Sequence, residues 1–88
     1  HAHETDKIVA AALKAVTALA DGLTSNQHAM RAAGACQAVV HVMRDKTRGA
    51  LQLLCLRAII SLAALNMENQ MVLGQAGACP STIWFSML

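Results

Sequence analysis

Two stretches of this chain are copies of each other at one fixed spacing. Asn26-Gln27 and Ala33-Gly34-Ala35-Cys36 return as Asn69-Gln70 and Ala76-Gly77-Ala78-Cys79, each 43 residues later. The same offset sets Leu13, Ala15, Leu19 and Ala20 on Leu56, Ala58, Leu62 and Ala63, and Lys14 on Arg57. Superposing 8–45 on 51–88 without a gap gives ten identities in 38 positions: four in the leading stretch, two at Asn-Gln and four at Ala-Gly-Ala-Cys. Nine of the other 28 pairs exchange one apolar residue for another. A period of this length is the mark of a supersecondary unit that cannot cover its own apolar face and stacks on a neighbour to do so.

The residues that fill the period favour helices. Ala and Leu dominate, aromatics are 2% and proline occurs once. Ala and Leu lose little side-chain freedom in a helix, and hairpin turn signals are missing, so the expected class is all-α. Hydrophobic residues make up 56% of the chain and charged ones only 14%. A small domain has a thin core, so this much apolar surface points to burial against something further.

Apolar spacing places the helices. A first helix is expected over 5–20, then a loop over 21–25, where Thr24 and Gln27 have the spacing of a capping box. A short helix over 26–33 ends at Gly34. Another over 36–44 turns Val39, Val40, Val42 and Met43 inward. Asp45, Lys46 and Thr47 make a polar turn before a long helix over 47–65. Leu51, Leu54, Cys55, Ala58, Ile59, Leu62 and Leu65 line one face of it at three-and-four spacing. Asn66 is placed to cap a short helix over 69–76, with Val72, Leu73 and Ala76 inward, and Gly77 breaks it. Pro80 suits the first turn of one more helix.

One period therefore holds a short, a medium and a long helix. With Asn-Gln followed by Ala-Gly-Ala-Cys-Pro in the later copy and Ala-Gly-Ala-Cys-Gln in the earlier one, the chain from about 5 to 88 resembles the armadillo repeat family. Two departures stand out: Gln37 takes the place of the family's proline, and cysteine takes its isoleucine in both copies. The resemblance implies a right-handed α-solenoid, an armadillo-type superhelix fragment with three helices per repeat. Residues 1–4 are an unstructured start, and 5–23 the third helix of a preceding repeat. Residues 24–66 form a complete repeat and 67–88 the first two helices of the next.

The family's third helices stack into a concave face that binds partner proteins. In nuclear-import receptors that face carries a Trp and an Asn four residues apart. The matching positions here are Lys14 and Ala18, then Arg57 and Ser61, so the ladder that grips a nuclear-localisation peptide is missing. What the resemblance implies instead is a protein–protein interaction scaffold whose groove carries two cations, Lys14 and Arg57, suited to an acidic peptide. Thr17, Asp21 and Ser61 are the polar neighbours that could meet a peptide backbone. Ile83, Trp84, Phe85 and Leu88 form an apolar tail without a polar cap, which offers self-association through a repeat end. The rival reading is an Ala/Leu-rich helical module, HEAT-like or a closed bundle, that is structural and oligomerises through such uncapped ends.

Other chemistry finds little footing. A net charge of +2 with scattered basic residues does not suit nucleic acid. The apolar stretch 49–65 is interrupted by Gln52 and Arg57 and falls short of the ~20 residues of a membrane span. No signal peptide is legible at the polar start. Cys36, Cys55 and Cys79 contain no paired motif and read as small buried hydrophobes, which suits a reducing, cytoplasmic setting and possible passage to the nucleus. His1, His3, His28 and His41 pair with no cysteine at metal-ligand spacing, so neither a metal nor another cofactor is expected. Cys36 and His41 lie five apart on one helix and diverge, and no third group orients a base, so no catalytic residue is expected.

Overall fold

The computed structural model describes residues 2–45 and 49–77. Within them the chain is all-helical: α1 (Ala2–Ala20), α2 (Thr24–Ala32), α3 (Ala35–Asp45), α4 (Gly49–Ala63) and α5 (Met67–Gln75). Two bounds differ from the sequence reading in an informative way. Helix α1 begins at Ala2, within the residues expected to be unstructured, and Glu4 in its first turn complements the dipole there. Helix α2 begins at Thr24, where a loop and a Thr24–Gln27 capping box were expected. Its N-cap is Leu23, whose side chain has no acceptor to offer, and the Gln27 amide is engaged elsewhere.

The 43-residue spacing of the sequence is also a spacing of the backbone. Helices α2 and α5 start and end 43 residues apart, as do the last residues of α1 and α4. Positive φ angles occur at Gly22 (71°) and Leu65 (52°), and at Gly34 (87°) and Gly77 (108°), again two pairs at that offset. Each pair does one job. The first turns the chain out of a long helix and the second turns it out of a short one.

Leu65 was expected on the apolar face of α4. It lies instead beyond the end of that helix, left-handed and fully exposed. The helix must stop before it so that Asn66 can cap α5, where its side chain accepts from the Asn69 N–H at 3.0 Å. A non-glycine residue in the left-handed region is strained by roughly 1–2 kcal/mol. Leu65→Gly, which copies Gly22, is therefore expected to stabilise the chain by about 0.5 kcal/mol once glycine's larger entropy loss is counted. Thermal unfolding should show this as a midpoint ~2–4 °C higher.

The core is built from α1, α3, α4 and α5: Leu13 and Ala20, Cys36, Val39, Val40 and Met43, Leu51, Cys55, Ala58, Ile59 and Leu62, and Leu73 are all buried. Val42, Leu54, Val72 and Ala76, expected inward, pack at the margin of this cluster. The dominant packing is of α1 along α4, and α2 touches α5, so each element meets its own counterpart. Helix α3 packs on α4, α5 and α2. The Arg44 side chain at its end covers the spot where a Cβ on Gly77 would stand. The radius of gyration is 12.1 Å and the extents are 34 × 26 × 17 Å, so the thin dimension has room for two layers of helices at the usual ~8–10 Å separation.

Candidate functional site

The most organised polar feature is buried where the two copies meet. Gln27 of α2 is 2% exposed, and its Nε2 donates to the carbonyls of Ser61 (2.8 Å) and Ala64 (3.0 Å). Its Oε1 accepts from Asn66 Nδ2 at 3.1 Å. Asn69, wholly buried, donates from Nδ2 to the carbonyls of Leu62 (2.9 Å) and Gln27 (3.1 Å) and accepts at Oδ1 from Arg31 Nη1 (3.0 Å). Arg31 also meets His28 Nδ1 at 2.8 Å and Glu68 Oε2 at 3.1 Å. No buried side-chain polar atom among the described residues lacks a partner. A buried polar network satisfied throughout fixes one register between the elements it joins, because any slip leaves a donor or acceptor bare.

One bond of this network is itself repeated. Asn26 Nδ2 donates to the Leu19 carbonyl (2.7 Å) as Asn69 Nδ2 does to that of Leu62, so both asparagines reach back seven residues to the last turn of the long helix. The glutamines that follow them part company. Gln70 is exposed and folds back on the Ala63 carbonyl (2.9 Å), within its own copy, whereas Gln27 reaches into the next. Composition and spacing had marked Asn26-Gln27 and Asn69-Gln70 as a recurring motif. The joint they make with Asn66 and Arg31 was not foreseen; polar residues recurring inside an otherwise apolar period were its signal.

Lys14 on α1 and Arg57 on α4 are both exposed, at matching positions of two helices that pack along each other. Asp21, in the turn after α1, is exposed too. Thr17 is half-buried and its hydroxyl donates to the Leu13 carbonyl at 2.8 Å, which uses its proton. Ser61 is 7% exposed, in the wall of the joint, and its carbonyl accepts from Gln27. Solvent therefore reaches Lys14, Asp21 and Arg57 freely and hardly reaches Ser61. Ile83, Trp84, Phe85 and Leu88 lie outside the described residues.

Cys36 and Cys55 are free and wholly buried, as small hydrophobes are. Burial pushes both thiols above their ordinary range; for Cys36 the nearby Arg31 charge opposes this as the lesser effect. The thiolate, the reactive form, is thereby disfavoured at both sites. His41, five residues after Cys36, is exposed. Among the described residues no three His, Cys, Asp or Glu side chains form a group that could hold a metal ion, and no helix is long and apolar enough to cross a membrane. No family model, curated protein or solved structure matches the chain.

Proposed function

We propose that the chain is an armadillo-type solenoid module that binds an acidic peptide segment of a partner protein across its two long helices. The observation that carries this reading is the placement of Lys14 and Arg57: one position in a 43-residue repeat, cationic and exposed in both copies, on helices α1 and α4 that pack together. The three helices α2, α3 and α4 within one period favour an armadillo unit over a two-helix HEAT unit. The full satisfaction of the joint supports a stacked arrangement over an Ala/Leu-rich bundle, since its bonds run from α2 of one copy to the end of α4 and the start of α5 in the next.

Exposed charges contribute modestly, so each cation supplies ~0.2–1 kcal/mol toward a carboxylate and the pair gains mostly by acting together. Such binding weakens with salt. The test is fluorescence anisotropy with a labelled Glu/Asp-rich peptide against Lys14→Glu, Arg57→Glu and the double variant. The expected result is a loss of about fivefold for each reversal and more than tenfold for both, following the ~1 kcal/mol per pair. Unchanged affinity in the double variant refutes the two-cation groove.

A further inference from the structure

Burial at equivalent positions is strongly asymmetric. On α4, Leu51, Cys55, Ala58 and Leu62 are buried, at 4% exposure or less. Their counterparts 43 residues earlier on α1 are Ile8, Ala12, Ala15 and Leu19, all exposed, Ile8 at 70% and Leu19 at 53%. The asymmetry also runs the other way. The α1 positions Ala10, Leu13, Thr17 and Ala20 are buried or half-buried; of their α4 counterparts, Leu53 and Ile60 are 50% and 67% exposed, and Leu56 and Ala63 are half-buried. The α1 stripe has helical spacing, three and four residues apart, and contains no charge; Leu53 and Ile60 lie two turns apart on α4, with the half-buried Leu56 between them and the exposed Arg57 at their flank.

The molecule itself shows what covers such stripes, because it makes this interface once, between α1 and α4. Among the described residues two halves of that interface stay unused: the α1 stripe of Ile8 and Leu19, and the α4 face of Leu53 and Ile60. We propose that a second copy of this chain docks head to tail, the Leu53–Ile60 stripe of one molecule lying along the Ile8–Leu19 stripe of the next. Gln70, now folded back on Ala63, stands where Gln27 stands in the internal joint, and the carbonyls of Ala18 and Asp21 in the neighbour are the counterparts of those it would meet. The rest of the clamp is not reproduced: Leu23 takes the place of Asn66, Gly74 that of Arg31 and Ser25 that of Glu68. The joint between molecules is therefore mainly apolar and weaker than the internal one. Because the two faces differ, the association runs head to tail and continues beyond a dimer, as a ring where the rotation between copies closes and as an open chain where it does not.

The inference rests on the repeat equivalence and on the exposure of Ile8, Leu19, Leu53 and Ile60. It is tested by sedimentation velocity over a concentration series on the native chain, on Leu19→Glu, on Ile60→Glu and on their equimolar mixture. Both substituted side chains are more than half exposed, so helicity by circular dichroism should be unchanged. The native chain is expected to grow beyond dimer with concentration, each variant alone to stay monomeric, and the mixture to form dimers and nothing larger. A native chain that stays monomeric overturns the proposal. So does self-association of Ile60→Glu alone, which would mean pairing of like faces, and so does a mixture that remains monomeric. If either variant loses helicity, Ile8→Glu with Leu53→Glu repeats the design at the same two faces, with the same outcomes required.

Discussion

Replacing Asn69 by alanine should cost about 3 kcal/mol of stability, while the same change at Asn26 should cost ~1 kcal/mol or less. The two asparagines occupy equivalent positions and make the same bond back to a leucine carbonyl. They differ in what else depends on them. Asn69 is wholly buried, and its loss strips partners from the Gln27 carbonyl and the Arg31 guanidinium as well as from Leu62. Each buried polar group left bare costs roughly 1–3 kcal/mol, and no solvent reaches this site to replace the amide. Asn26 is half-exposed, so water can take over at the Leu19 carbonyl. Urea denaturation of the two variants side by side measures the difference. Equal losses would mean that the joint does not depend on Asn69.

Leu62→Ala is expected to destabilise by ~3 kcal/mol and Leu19→Ala by under ~1 kcal/mol. Leu62 is among the largest wholly buried side chains, in the core between α4 and its neighbours, and its truncation leaves a cavity. Leu19 holds the equivalent place on α1 but is 53% exposed, and its truncation mostly removes apolar surface from water. A domain of this size has a total stability of only ~5–10 kcal/mol, so Leu62→Ala should shift the urea midpoint to a large fraction of its range and Leu19→Ala hardly at all. The two substitutions remove the same atoms at the same point of the repeat. Their difference therefore isolates what the neighbouring copy contributes.

Much of the helical plan was legible in the residues. Gly34 and Gly77 both announced a break because the left-handed turn they make suits glycine. The inner face of α4 was legible because Leu51, Cys55, Ala58, Ile59 and Leu62 recur at helical spacing, and all of them are buried. Leu65 extended that spacing by one residue and misled, since periodicity does not register that Asn66 must leave the helix to cap the next. Thr24 and Gln27 misled differently. Their spacing fits a local cap, but a buried amide finds a better use in the carbonyls of Ser61 and Ala64, more than thirty residues away. A local rule had no access to partners at that distance. The exposure of Lys14 and Arg57 agrees with their place between apolar positions, while the burial of Ser61 follows from the copy packed beside it.

The central claim is that two copies set 43 residues apart are held in one register by the polar joint around Gln27. A double-mutant cycle between Gln27 and Asn66 addresses it most directly, since Asn66 Nδ2 donates to Gln27 Oε1 at 3.1 Å across the joint. Gln27→Ala, Asn66→Ala and the double variant are unfolded in urea, and the cycle cancels the loss of the Asn66 cap, which both Asn66 variants share. A coupling of about 1 kcal/mol or more is expected for two buried side chains in direct contact. Additivity within ~0.3 kcal/mol would mean that the two residues do not meet, and would contradict the joint and the stacking of copies built on it.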